Sequence, residues 1–520
     1  MATEPPLAFY QSRVLLVLIA TELVERRTVA LARALSLEEA SVHDLQLAFR
    51  QNELTSRQLT KFYLYRIRRL NPLLRGVIEV NPDALRQADR ADRERERKAK
   101  PYGLLPVLHG IPILLKDNIA TKDKMNTTAG SFALLGSVVP RDAGVVARLR
   151  SAGAVLLGKA SLSEWAHYRF SGAHNGWCAR SGQGKNPYNL SADPWGSSSG
   201  SAISVAANMG AVSLGTETNG SILGPSGSNS VVGIKPTVGL TSRGGVIPIT
   251  PRQDTVGPMC RTVADAVNVL DVIVGFDPYD AEATREASQY IPRGGYNQFL
   301  KAGGLRGKRL GIARNLYYSR SGSLVANAFE SHLNTLREQG AVLLDHLELA
   351  NLNEIYFDSG EDLAMSAEFK LALNTYLRDL VVSPVRSLAD VIEFNNKHKH
   401  LEKMDEFGQD LFLAAQATNG INKAVKSAWQ NMDRLSRDGF EKLMRQNELD
   451  ALVTPRHLIS GVLAIGGFPG ISVPAGYDEK GVPFGICFGG LRGSEPTLIE
   501  IAYGFEQATK IRRPPSFMQG

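Results

Sequence analysis

The chain of 520 residues is predicted to fold as an α/β protein, a single large mixed β-sheet covered by helices on both faces. Three observations predict it. Short apolar runs of strand length alternate with stretches of helical period through most of the sequence, the pattern of a sheet packed between helices. No internal repeat and no low-complexity linker divides the chain, so one domain is expected. With 43% apolar and 21% charged residues the composition is that of an ordinary globular protein. The length exceeds the ~250–300 residues that one compact core usually reaches, but an α/β sheet can grow by adding strands.

Residues 1–34 stand apart as a leader-like or disordered segment. Arg13 precedes the apolar run Val14–Ala20, a faint likeness to a secretory leader. Glu22, Glu25, Arg26 and Arg27 follow at once, and the run is far short of the ~20 residues needed to cross a bilayer. The compartment therefore stays open between the cytoplasm and a secretory or organellar site. Asn126-Thr-Thr and Asn189-Leu-Ser fit the glycosylation sequon, a short pattern that chance often supplies. Ser36-Leu-Glu-Glu-Ala40 opens the folded part, expected over 35–520.

Leu45, Phe49, Leu59, Phe62 and Ile67 give Ser41–Leu70 a helical period. Val77–Val80 reads as a strand, and Arg86–Lys100 as a helix whose basic and acidic residues form a solvated face of i,i+4 pairs. An apolar run ends in one lysine at Ile111-Pro-Ile-Leu-Leu-Lys116. Asp142–Gly153 is expected to be a helix capped by Asp142, leading into the strand Ala154–Leu157. Ile203–Leu214 has room for one short helix and one strand, and Thr262–Val274 reads as an amphipathic helix. Gly307–Ala313, a helix over Leu324–Gln339 and Ala341–Leu344 form a further strand–helix–strand unit. Residues 356–444 are mainly helical, a cap or insertion.

Much of the basic character behind the net charge of +7 sits in the mixed-charge helix, and no nucleic-acid module is recognisable, so no nucleic-acid partner is expected. Cys178, Cys260 and Cys487 are too few and too widely spaced for a disulfide framework or a zinc site. In a helix the rings of His398 and His400 point to different faces, which argues against a metal pair. Neither a metal nor an organic cofactor is expected, nor integral membrane association.

Two glycine- and serine-rich segments carry the chemistry: Asp193-Pro-Trp-Gly-Ser-Ser-Ser-Gly-Ser-Ala202 and Gly215-Thr-Glu-Thr-Asn-Gly-Ser-Ile222. A serine hydroxyl is a poor nucleophile until a base takes its proton. Lys116 can be that base only when neutral, and the adjoining Leu114 and Leu115 supply apolar surroundings that lower an amine's pKa. Glycine next to a serine lets backbone N–H groups converge on one point, so Thr218, Asn219, Gly220 and Ser221 are the candidate oxyanion donors. Gly196-Ser-Ser-Ser-Gly200 also matches the G-x-S-x-G elbow with Ser198 as nucleophile. That reading needs a strand directly before the serine, and the loop Asn186–Pro194 with its two prolines stands there instead.

At these residues the chain resembles the amidase signature family. The likeness runs from about Ser41 to the C-terminal region. It is densest in Gly110-Ile-Pro, Lys116-Asp-Asn, Thr128-Ala-Gly-Ser131, Gly158-Lys-Ala160, Gly196–Ser201, Gly220-Ser-Ile222, Gly233–Thr237 and Asp254–Pro258. Asp450–Pro455, Val473–Gly476 and Ala502–Thr509 are similar too. Ser161–Ala166, Gly182-Gln183, Asn186-Pro-Tyr188 and Gly215-Thr-Glu-Thr resemble the peptide-amidase-like branch, which includes uncharacterised plant and fungal amidases. The resemblance implies the amidase-signature fold and a Ser–Ser–Lys triad: Ser221 as nucleophile, Ser197 as bridging serine after a cis peptide bond, Lys116 as base, with Ser198 in support. It implies an acyl-enzyme route that turns a small-molecule or peptide amide into acid plus ammonia or amine.

Three positions depart from the family's usual pattern: Leu223 where arginine is frequent, Glu217 in place of aspartate, and the segment Gly224-Pro-Ser-Gly-Ser228. Contacts known for fatty-amide hydrolases therefore do not transfer. Trp165–Gly176 and Tyr356–Met444 are expected to shape the acyl pocket. The competing readings are a fatty-amide or indole-acetamide hydrolase, a glutamine amidotransferase subunit, and a catalytically silent amidase-like binding module.

Overall fold

The structure, a computed structural model, describes residues 37–98, 105–316 and 323–516; the leader-like segment 1–34 lies outside the described residues. In chain order the strands are β1 (Val77–Val80), β2 (Pro112–Lys116), β3 (Val155–Ala160), β4 (Trp177–Cys178), β5 (Gly182–Gln183), β6 (Val212–Glu217), β7 (Val232–Lys235), β8 (Thr255–Cys260), β9 (Arg309–Ala313), β10 (Val342–Leu347), β11 (Ala451–Pro455), β12 (Gly470–Tyr477) and β13 (Pro483–Gly489). Eleven of them form one sheet in the order β1-β3-β2-β6-β8-β7-β12-β13-β11-β9-β10, while β4 and β5 make a separate ribbon. The sheet is mixed: β3, β2 and β6 run parallel, β8 is antiparallel to β6, and β11, β9 and β10 are again parallel.

Helices cover both faces, as β8 makes plain. Its side chains alternate, the period-2 consequence of pleating. Met259 joins a cluster with Ala202, Val205 and Ala206, whereas Val256 and Cys260 join the main core with Val263, Val267 and Leu270. All residues of β2, β3, β6, β7 and β8 are buried, as expected of strands covered on two sides.

The predicted helix over Ser41–Leu70 is two helices, α1 (Val42–Arg50) and α2 (Ser56–Leu74). The break has a local cause. Ser41 with Asp44 and Thr55 with Gln58 each form a capping box, so a second helix start is built into the sequence. The charged helix is α3 (Ala84–Lys98); Ala84 and Ala88 pack on Val155 while Arg90 pairs with Glu94 at 2.7 Å on the exposed side. Asp142 is not the cap of α4 (Gly144–Ser151), whose N-cap is Ala143. The Asp142 carboxylate instead accepts from the Lys122 N–H at 2.7 Å and the Arg150 guanidinium at 2.8 Å. β3 runs three residues past the expected Leu157 because both β1 and β2 pair with its end.

Further along come α5 (Ser199–Ala206), α6 (Leu223–Ser228), α7 (Val263–Ile273) and α8 (Glu361–Asp379). Among the described residues no helix is long and apolar enough to cross a membrane. The topology sets the site. β2 ends at Lys116, the parallel β6 ends at Glu217, and Glu217 sits opposite Thr255 at the start of β8. The carboxyl ends of adjacent parallel strands thus open on one edge, where α/β proteins gather their working residues.

Candidate active site

Lys116 is the last residue of a strand buried along its whole length, and its own exposure is 0%. Burial pulls its pKa from 10.5 down to about 7, against the opposing pull of the Glu217 and Asp254 carboxylates. Its Nζ lies 2.8 Å from Ser197 Oγ, 3.0 Å from Ser198 Oγ and 3.1 Å from the Thr216 carbonyl. Counting donors orients the proton. The carbonyl can only accept. Ser198 Oγ uses its one hydrogen on the Thr216 carbonyl at 3.0 Å and accepts from the Thr216 N–H at 3.2 Å, so toward Nζ it too accepts. A neutral amine has two N–H groups, and these two acceptors take both. In the neutral amine the lone pair is left for Ser197, whose hydroxyl then donates to the lysine, whereas the ammonium donates to all three oxygens.

The serines are placed by tight packing at the start of α5. The Gly196–Ser197 bond is cis, as the family resemblance implies. Gly200 admits no side chain, because a Cβ there would lie 2.4 Å from the backbone of Gly76 and Ser161. Ser201 Oγ donates to the Leu214 carbonyl at 2.9 Å, tying the helix to β6. The backbone N–H of Ser198 donates to the Ser221 carbonyl at 3.2 Å, which joins the two serine segments. The Ser221 hydroxyl itself makes no hydrogen bond to a described residue and retains 9% exposure. The structure thus brings Lys116, Ser197 and Ser198 into direct contact and links Ser221 to them through the main chain.

In the turn ahead of Ser221, Gly220 takes φ 77°, a conformation suited to glycine. Among the described residues the N–H groups of Asn219, Gly220 and Ser221 have no hydrogen-bond acceptor, whereas those of Ile222 and Leu223 donate to Glu217 at 2.6 and 2.9 Å. The extra methylene of Glu217 reaches the start of α6 and satisfies the amides that would otherwise be orphaned there. Leu223 is fully buried in an apolar cluster, so that position offers no cation to a ligand. Gly224 faces the Trp195 indole, 2.2 Å from where a Cβ would stand. Thr218 Oγ1 donates to Asp254 at 2.6 Å, fixing the turn from β8's side.

Of the two segments expected to shape the pocket, Tyr356–Met444 reaches this centre through Glu361, and the other begins two residues after Ser163, which does. Asn219 donates to Glu361 of α8 at 3.2 Å. The Ser163 N–H donates to the Ser197 carbonyl at 2.9 Å. Sequence reasoning named the segments that hold Asp254 and His167 but gave neither residue a role, and it passed over His457. His457 stacks on Trp195 with ring centroids 4.4 Å apart and borders Gly220; burial and Arg456 push its pKa down to about 4, which keeps it neutral. Its only signal is a lone histidine just beyond Asp450–Pro455. Among the described residues no cluster of histidine, cysteine, aspartate and glutamate could hold a metal ion, and the three cysteines are buried and unpaired.

Comparison with known proteins follows the same lines. A family model described as Amidase matches residues 58–463. A probable amidase of Arabidopsis thaliana is 60% identical over 492 residues, 94% of each chain. Among solved structures, native peptide amidase from Stenotrophomonas maltophilia superposes with a TM-score of 0.86 at 44% identity, covering 93% of this chain and 99% of that one. An amidase family protein from Bacillus anthracis gives a TM-score of 0.87 at 33% identity, covering 94% of each.

Proposed function

Because the chain belongs to the amidase family and is a hydrolase of that family, we propose that it cleaves carboxylic amides through a Lys116–Ser197–Ser221 triad and an acyl-enzyme. The observation that carries this reading is the 2.8 Å contact between a fully buried Lys116 and Ser197, beside a turn whose amides are unengaged. Ser221 Oγ attacks the amide carbon. Its proton passes to Ser197, whose own proton moves onto the lone pair of neutral Lys116. The developing oxyanion is held by N–H groups of the Thr218–Ser221 turn, the kind of fixed donors that stabilise such a charge best. Lysine then returns the proton through Ser197 to the leaving nitrogen, the C–N bond breaks, and ammonia or an amine departs. Water, deprotonated along the same path, attacks the ester, releases the acid and restores Ser221.

The substrates favoured by this reading are C-terminally amidated peptides and small acyl amides, ahead of long fatty amides. Likeness to peptide amidase supports that order. The test is ammonia release from amidated dipeptides, simple primary amides and oleamide, with Ser221→Ala beside the parent. Parent turnover that vanishes in Ser221→Ala, with unchanged circular dichroism, is expected. Substantial turnover by the folded variant refutes the nucleophile. Failure of folded parent to react with a fluorophosphonate, with no turnover on any amide, points to a silent binding module.

A further inference from the structure

Three consecutive non-glycine residues, Trp165, Ala166 and His167, lie in the left-handed region with φ of 51°, 53° and 75°. L-residues avoid it because Cβ crowds the following carbonyl, and where they do enter it they do so singly. A run of three persists only where the surroundings impose it, and such places cluster at working sites.

The surroundings that impose it are specific. Glu164 and Arg169, which bracket the turn, pair at 2.5 Å with both side chains wholly buried. Arg169 also meets the Glu402 carboxylate at 3.3 Å and donates to the Glu402 carbonyl at 2.6 Å. Glu402 in turn accepts from Ser131 Oγ at 2.9 Å and the Phe132 N–H at 2.8 Å, while Glu164 accepts from the Ala179 N–H at 2.6 Å. A buried ion cluster seldom stabilises a core more than apolar packing would, but its directional bonds fix geometry. The geometry fixed here adjoins the triad. Just before the turn the Ser163 N–H holds the Ser197 carbonyl at 2.9 Å, and within it the Trp165 N–H holds the Ala129 carbonyl at 2.8 Å.

His167 closes the turn. It is half-buried, and its ring makes no hydrogen bond to a described residue. The charged groups felt by the ring are Lys116 and Asp193; burial and Lys116 lower its pKa and Asp193 raises it. Burial and Lys116 thus disfavour the imidazolium, and both ring nitrogens are left unengaged by described residues, four positions after the residue that holds the Ser197 carbonyl.

We propose that the Trp165–His167 turn is a specificity element for peptide amides, in which the His167 imidazole hydrogen-bonds the backbone amide of the residue that carries the scissile carboxamide. The inference rests on amide hydrolysis at Ser221. His167 is the residue that meets substrate; Glu164, Arg169 and Glu402 are positioning residues that hold the turn. An alkyl amide has no inner amide for the imidazole to meet, so His167 separates the two substrate classes.

The test is steady-state kinetics on N-acetyl-phenylalaninamide and hexanamide with the parent, His167→Phe, His167→Gln and Glu402→Gln. His167→Phe should lose about tenfold in kcat/KM on the peptide amide, mainly through KM, with little change on hexanamide, the worth of one hydrogen bond. His167→Gln, which keeps a donor and an acceptor, should recover most of it. Glu402→Gln should raise KM for the peptide amide and leave kcat on hexanamide near the parent value. Equal loss by His167→Phe on both substrates overturns the inference while leaving the nucleophile intact. Unchanged kinetics in folded Glu402→Gln overturns the positioning role. A parent that cleaves hexanamide and not the peptide amide overturns the peptide-amide reading and this inference with it.

Discussion

Lowering the pH from 8 to 5 should switch the enzyme off by protonating Lys116. Burial takes this amine from 10.5 to about 7. Only the neutral form can accept the proton from Ser197, so kcat/KM should follow the neutral fraction of free enzyme. Activity then levels off above about pH 8, is half-maximal near 7, and falls tenfold per pH unit below, to about 1% at pH 5. The stability sign follows from the same depression. Between about 7 and 10.5 the folded protein binds fewer protons at this site than the unfolded chain, so the fold gains stability as pH rises through that window. At pH 7 the lowered pKa costs the fold about 4–5 kcal/mol, at about 1.4 kcal/mol per pH unit. Lys116→Met should therefore abolish turnover and yet be no less stable than the parent at pH 7 by urea denaturation. Glu217 raises the lysine's pKa, so Glu217→Gln should move the acid limb to lower pH. Ammonia release at constant ionic strength across pH 5–9 decides the matter. A flat profile, or an acid limb centred near 10, would refute the base assignment.

Ser197→Ala should lose at least about 100-fold in kcat, the scale of a proton-transfer step, and Ser198→Ala about tenfold, because it frees the amine to rotate without breaking the relay; a reversed order in single-turnover assays would revive Ser198 as nucleophile. Arg169→Met leaves Glu164 and Glu402 buried without their cation and should cost about 3–5 kcal/mol by urea denaturation, with a change under about 1 kcal/mol counting against a structural role for the cluster. Gly224→Ala drives a methyl into the Trp195 indole, which His457 backs at 4.4 Å; lowered thermal stability and kcat are expected, and parent-like values of both would show that the ring can move aside.

What the sequence conveyed and what it withheld divide along a physical line. Lys116, Ser197 and Ser221 could be put forward from the sequence because the signals that point to them are local: a lysine closing an apolar strand, and serines set among glycines that only close packing requires. β2 is legible for the same reason, a short apolar run ending where polar residues begin, whereas β6 runs past the expected Leu214 to Glu217 because β8 pairs with its polar end. Asp142 misleads because Asp before a helical stretch usually caps it, and nothing local reports that Lys122 and Arg150 engage its carboxylate first. The turn at Trp165–His167 is hidden more deeply. No propensity favours left-handed Trp, Ala and His in succession, and the glutamate that helps impose it lies 233 positions beyond its arginine partner. The direction of the Ser197 proton is hidden likewise. It depends on Ser198 and the Thr216 carbonyl both facing one amine, a count of donors and acceptors that exists only once α5 has packed on β6. A triad named from its residues alone leaves that proton unassigned; in the proposed mechanism a neutral Lys116, with both N–H groups engaged, turns its lone pair to Ser197 before substrate arrives, so the base is aligned in advance.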